Sequence, residues 1–190
     1  MSIGGANRFA PVGLICDSAA MIRGLPPFRR RLCGWLVLTA IFSVPAQARD
    51  NLGMAGKWGA FRDPAVPRCY AIAKAEPSLF ERAFQPFAAI GTWPRRSERG
   101  QVHFRLSRRL AERARVTLSL GGQRFELAGN GADAWSASRQ MDAAIVAAMR
   151  SARTMSVSAR DARGRPFGNS YDLAGAATAM DTATLACARL

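Results

Sequence analysis

His103 is the only histidine in the chain, so it is the one imidazole available as a general base near neutral pH. Its neighbours Val102 and Phe104 point the opposite way along an alternating strand. His103 therefore shares a polar face with Gln101 and Arg105. A triad also needs a nucleophile and an orienting acid, and neither stands near it in sequence. The expectation is a plain surface histidine, with no catalytic residue assigned. Arg105, Arg108, Arg109, Arg113 and Arg115 crowd one hairpin region. Guanidinium forks grip phosphate and carboxylate well, which makes these five an anion-binding patch candidate for an anionic surface. The rival reading is a solvated, arginine-rich face, diluted by Glu98 and Glu112. No aromatic residues interleave with the arginines in the manner that stacks bases, and the export signal described below is why no nucleic-acid partner is expected.

Trp58, Trp93 and Trp135 either line a ligand cleft or anchor a core, each with its indole N–H bonded to a carbonyl. Their wide spacing favours the core. Asp63, Asp142, Asp172 and Asp181 each have a turn or capping explanation, and Asp142 is the expected N-cap of a helix. Four cysteines are present: Cys16, Cys33, Cys69 and Cys187. With a single histidine and no CxxC or HExxH, the ligand count argues against a structural zinc site. No metal ligand and no cofactor-binding residue is assigned.

The first 48 residues read as an address. Arg29, Arg30 and Arg31 form a positive n-region, Leu32 to Val44 an apolar h-region, and Ala46 and Ala48 the small residues at −3 and −1 of a cleavage site. Met21 is the expected start, and Ala48 the end of the signal peptide. An uncleaved anchor is the alternative, although a 13-residue apolar run is short for a bilayer. No apolar run is long enough to suggest a multi-pass membrane protein. Export leaves Cys69 and Cys187 in one chain under oxidising conditions, where two cysteines most often pair. Two separate buried thiols are the other reading.

The chain has 27 Lys plus Arg against 13 Asp plus Glu, a net charge of +14, and 49% hydrophobic residues. That composition belongs to a folded domain and excludes a wholly disordered one. Residues 49–190 are expected to form one domain. Period-two alternation dominates them. Gln101 to Leu106 is the cleanest case, with Val102, Phe104 and Leu106 on one face, and Arg115 to Leu120 follows the same rule. Other strand candidates are Trp58 to Phe61, Cys69 to Ala73, Phe87 to Trp93, a short segment at Trp135, Met155 to Ala159 and Tyr171 to Leu173. Gly121-Gly122 reads as a hairpin turn into Arg124 to Leu127. Asp142 to Arg150 and Ala176 to Ala188 carry helical spacing instead. Eight or nine short strands separated by turns predict a mainly β fold, an antiparallel β-sandwich with a short crossover helix and a C-terminal helix.

On β-strand alternation, Cys69 shares a face with Ala71 and Ala73, while Tyr70 and Ile72 share the other. If the bulky pair faces the core, Cys69 points outward. A Cys69–Cys187 bridge then requires the C-terminal helix to lie across the outside of that strand, where the alanines suit close approach.

Three stretches carry a family likeness: Trp58-Gly-Ala-Phe61 followed by Arg68-Cys69-Tyr70; Asp142 to Arg150 leading into Thr154 to Val157; and Tyr171-Asp-Leu173-Ala-Gly175 opening the last helix. Over residues 55–185 the chain resembles the invasion-associated locus B family of exported alphaproteobacterial proteins. The resemblance implies an immunoglobulin-like sandwich, export to the periplasm, and a role at the envelope or in contact with a host. It supplies no catalytic residue, and the family's usual additional cysteines have no counterparts in the middle of this chain. The function expected is therefore that of an exported, periplasmic or secreted, non-enzymatic protein. It would act by surface contact with an envelope or host component. The alternative is a periplasmic hydrolase or inhibitor-like domain with a cleft made by distant loops. A pocket holding His103 beside a carboxylate would favour that alternative.

Overall fold

In a computed structural model the described residues are 49–188. The expected leader, with its expected cleavage site at Ala46 and Ala48 and expected start at Met21, lies outside them. Among the described residues ten antiparallel strands run in the order β1-β2-β3-β4-β5-β8-β7-β6-β9-β10. They are β1 (Asp50–Ala55), β2 (Trp58–Asp63), β3 (Arg68–Lys74), β4 (Phe87–Trp93), β5 (Glu98–Arg105), β6 (Val116–Leu120), β7 (Gln123–Asn130), β8 (Asp133–Trp135), β9 (Thr154–Arg160) and β10 (Pro166–Asp172). Helix α1 (Arg139–Met149) crosses from β8 to β9, and α2 (Ala176–Cys187) ends the fold. The mainly β, sandwich-like class expected from the alternation is the class found. The first five strands form a meander, rather than the Greek-key exchange of an immunoglobulin-like sandwich.

Strand β7 is the corner. Its first half pairs with β6 (Leu118 opposite Phe125) and its last residues pair with β8 (Gly129 opposite Ala134). The two ends of the sheet are thereby folded over one interior. Phe104 on β5 and Tyr171 on β10 meet across it with ring centroids 6.0 Å apart. The side chain of Asn169 accepts a hydrogen bond from Ser107 N at 3.0 Å. Val102, Phe104, Leu106, Val116, Leu118 and Leu120 are all buried on this interior, as their alternation predicts.

Helix α2 supplies a layer of that interior. Its buried residues Ala176, Ala179, Met180, Ala183 and Cys187 pack against β1 to β4. Cys69 and Cys187 form a disulfide with their Cα atoms 5.7 Å apart. The helix is thus pinned over the Cys69 strand, as expected, but the facing of that strand is reversed. Cys69, Ala71 and Ala73 point inward and are buried, while Tyr70 and Ile72 lie on the outer face. The reason is volume: α2 already fills the space above β3, so only small strand residues fit beneath it.

Helix α1 starts one turn earlier than its sequence suggests. Ser138, not Asp142, is the N-cap, accepting from Met141 N at 3.2 Å. Asp142 is buried and accepts from Val102 N at 2.8 Å and from the Ser136 hydroxyl, tying the helix to β5. Among the other carboxylates, Asp63 and Asp172 hold local turns through Val66 N and Ala174 N. Asp181 pairs instead with Arg150.

Candidate functional site

Antiparallel register decides which side chains share the outer face. Phe61 stands opposite Tyr70, Ile72 opposite Ala89, Ala89 opposite His103, and His103 opposite Trp135. Because paired residues point the same way, these strands present one continuous outward surface. It is hollowed into a groove of about 420 Å³, lined by Arg49, Arg68, Tyr70, Ile72, Phe87, Ala89, Gly91, Trp93, Gln101, His103 and Trp135.

The tryptophan expectation holds for one residue of three. Trp58 is fully buried and donates its indole N–H to the carbonyl of Asp172 at 2.8 Å. Trp93 and Trp135 are half-buried and line the groove instead. Two glycines explain how large rings fit on a pleated sheet. A Cβ on Gly91 would stand 2.5 Å from the Trp93 ring, and one on Gly59 would stand 2.6 Å from the Phe61 ring. Each aromatic side chain therefore lies back over the bare backbone two residues before it. Tyr70 is screened by Phe61, stacked at 5.6 Å, and by Arg68, whose guanidinium lies 5.0 Å from its ring centroid.

His103 is not a plain surface residue. Its ring stacks on Trp135 at 5.3 Å and meets the edge of Phe87 at 5.5 Å. Its Nε2 is 3.0 Å from Oδ1 of Asp133. The other oxygen of that carboxylate accepts from the Arg105 guanidinium. The orienting acid that sequence proximity failed to supply comes from β8, thirty residues on. A nucleophile beside it does not: the lining residues include no Ser, Thr or Cys. The only hydroxyl there belongs to Tyr70, which is covered as described. Among the described residues no three His, Cys, Asp or Glu side chains converge as metal ligands.

The five arginines of the hairpin region are dispersed. Arg105 bonds Asp133, and its guanidinium also lies 4.5 Å from the Phe84 ring centroid. Arg108 bonds the Glu81 carbonyl at 3.1 Å and Asp161 at 3.2 Å. Arg113 occupies an exposed turn with φ 56°. Arg115 lies 3.4 Å from Glu126. Only Arg108 and Arg109 share a concavity, about 230 Å³, and they share it with Arg163 and Arg165 from the β9–β10 turn. More than fifty residues separate those two pairs along the chain, and only the fold joins them. At the centre is Asp161. Burial alone would raise its carboxyl, but the Arg165 and Arg163 backbone N–H groups and the Arg165 guanidinium outweigh that effect. Together they hold it at about 2.

No family model, curated protein or solved structure matches this chain. Among the described residues no helix is long and apolar enough to cross a membrane.

Proposed function

We propose that this chain is an exported, non-enzymatic binding module of the periplasm or cell envelope, and that it takes its ligand in the aromatic groove on the outer face of β3, β4, β5 and β8. One observation carries the reading: Phe87, Trp93, Trp135 and His103 turn their rings outward, although a core of ordinary size lies on the other side of the same strands. Apolar walls with a few convergent polar groups are the usual makeup of a ligand site. The resemblance to the invasion-associated locus B family and the leader at residues 1–48 support the exported setting.

The ligand class that suits the groove is an acidic glycan segment. A sugar ring has one face of C–H groups that stacks on an aromatic plane. Gln101 and His103 offer hydrogen bonds at the groove floor. Arg49 and Arg68 stand at the groove edge, 3.7 and 3.3 Å from Asp63, and a ligand carboxylate would share their guanidinium groups with that residue. Titration of the protein with acidic and neutral oligosaccharides, followed by tryptophan emission, tests the reading. Saturable quenching by the acidic series, lost in Trp135→Ala, is expected. No response to either series would overturn it.

The His103–Asp133 contact favours a second reading, a hydrolase in which this pair activates water. Product release from such oligosaccharides that disappears in His103→Ala would replace the binding-module reading.

A further inference from the structure

The connection from β3 to β4 carries the two most exposed large apolar side chains of the described residues: Leu79 at 105% and Phe80 at 76% exposure. Leaving both in water opposes the hydrophobic effect, and the loop is braced so that they stay there. Ala75 N bonds Pro86 O at 3.1 Å, and Glu76 N bonds Ser170 O at 2.8 Å. Ala83 N and Phe84 N both bond the Ser107 carbonyl, at 2.9 and 3.1 Å. The Arg82 guanidinium bonds the Glu76 carbonyl, and Arg108 Nε bonds the Glu81 carbonyl. With its base tied at these points, the loop projects its tip.

Cations flank that tip on both sides. Glu81 and Ala83 form one wall of the concavity containing Arg108, Arg109, Arg163 and Arg165. Pro77 belongs to an apolar hollow of about 640 Å³ that also holds Met54, Phe61 and both lysines of the chain, Lys57 and Lys74. The local carboxylates are Asp161, committed to Arg108 and Arg165; Glu76, committed to Lys57; and Glu81. Arg109 and Arg163 remain exposed.

We propose that residues 77–81 are a membrane-docking tip for a bilayer containing anionic phospholipid. Leu79 and Phe80 enter the interface between headgroups and acyl chains, and headgroup phosphates lie against Arg109 and Arg163. An apolar wedge framed by basic residues meets both requirements of peripheral attachment, apolar burial and attraction to anionic lipid. Arginine forks suit phosphate. The site is separate from the aromatic groove and stands whether or not the groove binds a glycan.

The test uses the full chain as recovered from expressing cells, with vesicles of phosphatidylcholine alone or mixed with phosphatidylglycerol. Because the leader has its own apolar run, the decisive readout is local. A Phe80→Trp variant should show emission quenched by brominated phosphatidylglycerol beyond that of the parent chain. No excess quenching would overturn the proposal. Leu79→Ser with Phe80→Ser, both at exposed positions, should weaken flotation with the mixed vesicles by about tenfold or more at unchanged melting temperature. Arg109→Glu with Arg163→Glu should do the same. Equal binding by all variants would also overturn it. So would a dimer in sedimentation that the Leu79→Ser, Phe80→Ser change dissolves, because the tip would then be a contact between copies.

Discussion

Trp93 folds its indole across Gly91, two residues earlier on the same face of β4, so closely that a Cβ on the glycine would stand 2.5 Å from the ring. The glycine makes room for the aromatic wall of the groove. No positive φ is involved, so the requirement is purely one of space. A Gly91→Ala change should swing the half-exposed indole outward. The expected result is a red shift in tryptophan emission with a stability change within about 1 kcal/mol, since the ring can move into solvent. Thermal melts beside emission spectra check this.

Phe104 sits on the opposite face of the sheet from the groove, fully buried and against Tyr171. A Phe104→Ala change should cost about 3–5 kcal/mol, the range for emptying a large aromatic site. Denaturant titration measures it, and a loss under about 1 kcal/mol would mean that the site is not core.

Much of this arrangement is legible in the residues themselves, and the failures have physical causes. The strict alternation of β5 and β6 identified their core faces, because one face of each is wholly apolar. Bulk normally goes inward, so alternation alone points Tyr70 and Ile72 of β3 at the core. Here α2 occupies the interior layer, and the alanines of strand and helix nest together. His103 lacked a visible acid because Asp133 lies on a three-residue strand whose register, not its sequence distance, brings it close. Asp142 looked like a cap because it precedes an alanine-rich run, while the capping Ser138 lies one turn earlier. Strand β1 carries no clean alternation, because its register shifts between Asn51 and Gly53.

The bridge joining Cys69 to Cys187 spans 118 residues. The chain-entropy model values such a loop at about 4–5 kcal/mol. Replacing both cysteines with serine should lower stability by an amount of that order and loosen α2 first. Hydrogen exchange of the α2 amides should then accelerate relative to those of β5 and β6.

Acid should act through Asp161. Its carboxyl is depressed in the folded chain to about 2, below the unfolded value. Its contribution is therefore complete above the ordinary carboxylate range and fades as pH falls from about 4 toward 2. Stability of the parent chain should drop across that window. The Asp161→Asn variant should be less stable at neutral pH and show a shallower decline in acid.

The proposed leader at residues 1–48 can be checked separately. Signal-peptide cleavage after Ala48 would give the exported protein an N-terminus at Arg49. N-terminal sequencing of material recovered from outside the cytoplasm checks this, and an intact Met1 or Met21 would count against it.

We propose the outer aromatic groove as the working surface. A photoreactive residue in place of Gln101, within the groove, should crosslink in living cells to a component that glycan-degrading enzymes shorten. The same residue in place of Leu185, exposed on α2, should not. Glycan adducts from position 101 alone are the predicted result. Adducts of equal yield from both positions, or from position 185 only, would mean that the groove is not the working surface.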